Sequence, residues 1–179
     1  MAVVSGSVQV GFVCALDDPA ARDPGVTGSK AASLATTRGS GLPVIPGFAV
    51  TTKAHGDYLA AGRTFTAEMT GPLREAWADF TEQGRIPVVV RSSSTVEDVS
   101  ASSMAGRFRS VLDVRGWEDF LAAVRTVWAS ADAVAEGPTP SPMGVLVQRH
   151  LAPSRSGVMF GVDPVTGDRS TIAVEAVSG

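Results

Sequence analysis

Apolar residues enter this chain in two rhythms, short continuous or alternating runs that mark strands and three- and four-residue recurrences that mark one face of a helix. Val8 to Leu16 is a continuous apolar run and predicts a first strand, broken by Asp17-Asp18-Pro19. Pro24 to Lys30 is a glycine-containing turn that leads into a helix beginning Ala31-Ala32-Ser33-Leu34-Ala35. Gly39 to Gly47 has turn chemistry, Phe48 to Thr51 reads as a short strand, and Thr52 is the expected N-cap of a helix from Lys53 to Ala61 that Gly62 ends. From Thr64 to Gln83, Phe65, Met69, Leu73, Trp77 and Phe80 recur on one face. Gly71-Pro72 interrupts that stretch and predicts two helical pieces.

The middle of the chain changes character within a few residues. Val88-Val89-Val90, entered from Pro87, predicts a short buried strand that stops at Arg91. Ser92 to Asp98 and the small residues up to Gly106 follow, a composition that favours side-chain to backbone turns and predicts a loop on a rigid base. Phe108 to Val114 alternates like a strand whose polar face includes Arg109 and Asp113. Gly116 opens a helix with Trp117, Phe120, Leu121, Val124, Val127 and Trp128 as its core stripe. Glu136 to Pro142 is a proline-rich loop, and Met143–Arg149, Ser156–Val162 and Ser170–Val177 read as three strands of a small β-meander. With no internal repeat and no long linker, the order of elements predicts a single α+β domain with a mixed sheet and flanking helices.

Composition narrows the function. At 179 residues, 44% hydrophobic and 18% charged, the chain belongs with folded globular proteins. A net charge of -3 gives no basic field for nucleic acid. Cys14 is the single cysteine, which excludes an internal disulfide and a multi-cysteine zinc site, and its apolar neighbours predict a core thiol. No apolar run reaches the ~20 residues of a membrane span. The first basic residue is Arg22, unlike the start of a secretory signal, so the expected location is cytoplasmic, without membrane contact. His55 and His150 lack neighbours at metal-ligand spacing.

Two cations remain as candidate chemistry. Arg91 offers a planar fork of donors suited to phosphate or carboxylate oxygens, the alternative being an ion pair with Glu97 or Asp98. Lys30 follows Gly28-Ser29 at a helix start, where N–H groups and the dipole favour an anion; the alternative is a solvent-facing lysine, since the spacing of a P-loop is missing.

Five segments, GSKAASL, GLPVIPGFAVTT, VVVRSSSTVEDVSASSMAGRF, VLVQRHL and SGVMFGVDPVTG, occur in an order that resembles the N-terminal nucleotide-binding domain of the pyruvate phosphate dikinase and phosphoenolpyruvate synthase family, which rifamycin phosphotransferases share. The resemblance runs from about Val26 to the last residue. It implies an ATP-grasp-like lobe, with ATP held between two α+β lobes. It further implies transfer of the ATP β-phosphoryl group to a histidine on another domain and then to pyruvate or a similar acceptor. By the same resemblance Lys30 matches a phosphate-contacting lysine, although Gly28-Ser29 stands where the family has Gly-Gly, and Arg91 matches the catalytic phosphoryl clamp. Gly106 matches a glycine of the loop over the phosphates, Ser110 keeps a hydroxyl where relatives have threonine, and Gln148 matches a hinge glutamine beside the adenine. Mg²⁺ is implied, with its ligands in a later lobe. Residues 1–179 are thus expected to be the ATP-binding part of a longer enzyme, without the metal-binding lobe or the phosphohistidine domain and inactive alone. The alternatives are a non-catalytic nucleotide- or partner-binding module derived from that lobe, and the ATP domain of a rifamycin phosphotransferase.

Overall fold

The computed structural model describes residues 11–95, 109–132 and 142–178. Along the chain these form β1 (Val13–Ala15), α1 (Pro24–Thr27), α2 (Ser29–Gly39), β2 (Gly47–Val50), α3 (Thr52–Ala60), α4 (Ala67–Thr81), β3 (Val88–Ser94), β4 (Ser110–Val114), α5 (Trp117–Asp132), β5 (Met143–Arg149), β6 (Arg155–Phe160) and β7 (Ala173–Ser178). A 3-10 turn at Pro19–Arg22 precedes α1. Five strands run in space as β1-β2-β5-β3-β4 in one sheet, while among the described residues β6 and β7 pair only with each other. No helix among the described residues is long and apolar enough to cross a membrane.

Directly opposed residues of an antiparallel pair share a face, so the register sorts the side chains into two sets. Phe48 and Val50 of β2, Val88 and Val90 of β3, and Val145 and Val147 of β5 point one way. They are covered by Ala54 and Tyr58 of α3, Met69, Leu73 and Trp77 of α4, and Phe120, Val124, Val127 and Trp128 of α5, which together make the main core. Full burial of each such aliphatic or aromatic side chain stabilises by roughly 1.5–3 kcal/mol, which is why this face takes three helices. The opposite face carries a smaller cluster in which Cys14, Ala49 and Leu146 pack under Ala31 and Ala35 of α2.

Several expectations change in detail. The five-stranded sheet is antiparallel at every pairing, not mixed. The last three strands do not form a meander, because β5 inserts between β2 and β3 as a central strand, where six of its seven residues are buried. Pro24–Thr27 is a helical turn rather than a loop, capped by the Asp23 carboxylate, which accepts from Gly25 N–H at 2.8 Å. Gly71-Pro72 does not split α4: both residues face solvent, so the carbonyl that proline deprives of a donor can turn to water. The N-cap of α3 is Thr51, one residue earlier than expected. Its hydroxyl accepts from Ala54 N–H at 3.3 Å, while the Thr52 hydroxyl donates to the Gly25 carbonyl at 2.6 Å.

The largest change falls on the middle stretch. β3 continues through Ser94, and Ser92, Ser93 and Ser94 are buried, so the serines belong to the strand and not to a loop. The ladder to β5 extends from Val88↔Arg149 to Ser94↔Met143, and a central strand with a partner that long holds small polar side chains wherever their hydroxyls find partners. Glu97 and Asp98 lie outside the described residues.

Candidate functional site

Arg91 sits in mid-strand, opposite Leu146 of β5 on one side and Ser110 of β4 on the other. Those three residues, with Gln148 opposite Val89, therefore share the face of the sheet that carries α2. That helix covers the β1-β2-β5 side of the face. Its first turn also reaches β3 at Ser93, which is buried, whereas Arg91 and Ser110 further along the face are both exposed. Among the described residues Arg91 makes no ion pair.

Lys30, in the first turn of α2 and half-buried, reaches the same place. A hollow of about 360 Å³ is lined by Ser29, Lys30, Ser33, Leu34, Arg91 and Leu146. Among the described residues two cations and two hydroxyls line it and no carboxylate does, at the positive end of an eleven-residue helix. An arrangement of that kind suits an anion bearing several oxygens, with the guanidinium and ammonium supplying charge-assisted hydrogen bonds. A second hollow, of about 420 Å³, opens on the α4 side of the sheet between Val13, Phe48 and Phe80. Asp17, Asp79 and Arg38 line it, with Asp17 3.8 Å from Arg38, and its excess carboxylate disfavours a polyphosphate.

The turn that presents Lys30 is pressed onto the sheet backbone to backbone. Gly28 has φ +79°, and a Cβ there would lie 1.7 Å from the Ser93 carbonyl oxygen. Gly144 of β5 meets the Thr27 carbonyl in the same way, at 2.3 Å from an added Cβ. Ser93 itself accepts a hydrogen bond on its Oγ from Ala31 N–H at 3.0 Å. These contacts were not among the expected site features. The Gly-Ser before the lysine and the serine run after the arginine are their trace in the sequence, but nothing in a linear pattern says that the two segments touch.

The other expected site residues fall as follows. Gln148 is buried, and its Nε2 donates to the Ile45 carbonyl at 3.0 Å, tying β5 to the loop before β2. Its opposite residue, Gly47, leaves room for it: a Cβ there would be 2.9 Å from the Gln148 side chain and 2.4 Å from the Val147 carbonyl. Gly106 lies outside the described residues. Cys14 is buried on the α2 face, and burial together with the nearby Asp18 charge raises its thiol pKa to about 11. His55 is a packing residue that stacks on Trp128 with ring centroids 5.2 Å apart and accepts from Met143 N–H at 3.1 Å. His150 lies 3.6 Å from Asp113, which also pairs with Arg115 at 3.0 Å and has φ 53°, beside the register shift between β3 and β4. No group of three or more His, Cys, Asp or Glu side chains comes together among the described residues.

Comparison with known proteins decides the family. Residues 61–179 match the family model described as the pyruvate phosphate dikinase, AMP/ATP-binding domain. The chain belongs to this family. Arg91, Gly106, Ser110 and Gln148 lie within the matched segment of the dikinase-type domain, and Lys30 precedes it. A phosphoenolpyruvate synthase of Aeropyrum pernix is 30% identical over 86% of the chain and 24% of its own length. An uncharacterized phosphotransferase, YvkC, of Bacillus subtilis is 29% identical over 86% of the chain and 21% of its own length. A rifampicin phosphotransferase of a Streptomyces species is 42% identical over 53% of the chain and 12% of its own length. The chain thus spans about a quarter or less of the length of these relatives.

Proposed function

We propose that this chain is the ATP-binding part of a dikinase-type phosphotransferase, and that the hollow between α2 and β3 receives the phosphates of the nucleotide. The observation that carries the reading is that Lys30 and Arg91, which are 61 positions apart in the sequence, line one hollow together with two serines, with no acidic side chain in its wall among the described residues. Membership of an AMP/ATP-binding domain family supports the same ligand.

The residues fit the group. Lys30 and Arg91 would hold the phosphate oxygens, with the α2 N-terminus adding its dipole and Ser29 and Ser33 their hydroxyls. Ser110, next to Arg91 on the open face, adds a further hydroxyl, and Gly106 belongs to the segment that would cover the phosphates. Gln148 shapes the neighbouring edge through its bond to Ile45, beside the place proposed for the adenine. Bound ATP supplies the phosphoryl group; the chain supplies position and charge neutralisation, the main demands of phosphoryl transfer. In the proposed reaction the β-phosphoryl group goes to a histidine of another domain and from there to pyruvate or a similar small-molecule acceptor. Mg²⁺ accompanies the nucleotide in this reading. The described residues bring no set of ligands together for it, so no residue here is assigned to the metal.

A second acceptor class, a drug-like hydroxyl, is favoured by the 42% identity to the rifampicin phosphotransferase. The two readings share the same nucleotide site. Titration of the chain with ATP tests that site: Lys30→Ala and Arg91→Ala should each weaken binding about 10- to 100-fold, the worth of one charge-assisted hydrogen bond. Unchanged affinity in both variants would refute the assignment. Phosphate release by a protein that contains this domain, measured with and without pyruvate, separates the two acceptors.

A further inference from the structure

Helix α2 lacks a cap of its own. Its N-cap residue is Gly28, which has no side chain to accept from the first-turn N–H groups. The acceptor comes instead from 62 residues further on, where Ser93 Oγ takes the N–H of Ala31, the third residue of the helix, at 3.0 Å. This is the bond that a serine at the N-cap ordinarily makes. Ser93 is fully buried. It lies two residues from Arg91 on the same strand, and Ala31 lies one residue from Lys30, so a single hydrogen bond joins the segments that carry the two cations. The Gly28 backbone resting on the Ser93 carbonyl closes the same contact from below.

We propose that Ser93 is a positioning residue for the nucleotide: it caps α2 across the sheet and so sets the separation between Lys30 and Arg91. Ser93 does not touch the hollow itself and acts through Lys30. The inference rests on the reading of the hollow as a phosphate site. If Ser93→Ala frees the first turn of α2, Lys30 samples positions away from Arg91, and binding weakens although both charges remain.

The test uses the whole chain and ATP as the probe. Loss of a helix cap is worth about a factor of five in an equilibrium, so Ser93→Ala should weaken ATP binding roughly 5- to 10-fold. Ser93→Thr, which keeps the hydroxyl, should recover most of that loss. In a Lys30→Ala background the Ser93→Ala change should cost less than about two-fold more, because coupled residues are not additive. Amide exchange should accelerate at Lys30 and Ala31 in Ser93→Ala while Val90 and Val147 stay protected. Full multiplication of the two losses, or unchanged exchange at Ala31, would overturn the proposal. Weak binding by Lys30→Ala and Arg91→Ala with normal binding by Ser93→Ala would overturn it and leave the site reading intact. A chain that binds no ATP, or binds it equally well without Lys30 and Arg91, would remove both.

Discussion

Arg91 is an unusual residue to find at the middle of a central strand, because strand centres are buried and a charged guanidinium does not tolerate burial without a partner. It stays exposed since α2 seats its first turn on Ser93 and its body on Leu146 without covering Arg91, and the adjoining position on β4 is Ser110, too small to cover it. Removing an exposed guanidinium that makes no ion pair among the described residues strands no buried partner among them. Arg91→Ala should therefore change stability by less than about 0.5 kcal/mol, a melting shift of about 1–2 °C, while ATP affinity falls sharply. A collapse of the melting temperature with unchanged affinity would make Arg91 structural. Cys14 is the opposite case. Its thiol pKa is about 11 against an ordinary 9.0, so the thiolate is scarce in the folded chain. A raised pKa means that the folded state holds its proton more tightly, so this contribution is intact below pH 9 and is lost as pH rises toward 11. An alkylating thiol reagent at pH 8 should leave Cys14 unmodified until denaturant is added, and rapid labelling of the native chain would contradict the burial argument.

Among the elements, glycine separates positions that merely tolerate it from positions that need it. Gly56 in α3 and Gly71 in α4 are exposed helix residues, and a Cβ on either meets nothing within 4 Å. Gly56→Ala and Gly71→Ala should each raise stability by about 0.5–1 kcal/mol, read as a shift in denaturant midpoint at constant slope. Gly28→Ala should do the reverse and abolish nucleotide binding, because its Cβ would overlap the Ser93 carbonyl at a backbone angle that alanine resists. Equal behaviour of Gly28→Ala and Gly71→Ala would show that the α2 turn is not seated on β3 as described. The same contrast explains what was legible in the sequence. Helix faces such as Phe120, Val124, Val127 and Trp128 were readable because burial imposes a period on them. The extent of β3 was not, because Ser92 to Ser94 are buried in the strand, Ser93 with a hydrogen-bond partner 62 positions away, and composition alone assigns serines to loops. Lys30 and Arg91 could be singled out by residue type and order, whereas the bond that sets them side by side left no periodic trace.

For the molecule as a whole, stability is unevenly distributed. The five-stranded sheet has a core on each face, but among the described residues β6 and β7 pair only with each other, and every residue of β6 is exposed. Met159 is 72% exposed, Val174 68% and Val177 57%, so the hairpin carries apolar side chains without burying them. Strand periodicity identified both segments but is silent about which strands pair and what covers them, which is why a meander was expected. A lone two-stranded hairpin is marginal in water. Its turn is held locally: Asp163 accepts from Val165 and Thr166 N–H, Asp168 from Ser170 N–H, and these bonds lower both carboxyl pKa values. Such lowering favours the ordered turn above the ordinary carboxylate range, and the preference disappears as pH falls through the lowered values. Amide exchange on the intact chain should therefore show Val158 and Val174 opening at least about a hundred-fold faster than Val90 and Val147, with the gap widening in acid. Limited proteolysis should cut between residues 150 and 172 sooner than within β1 to β5 or α1 to α5. Protection of Val158 and Val174 equal to that of the central strands would mean that the hairpin's apolar face is covered in the chain as it stands, by itself or by a second copy, and a protein-concentration series would tell those two apart.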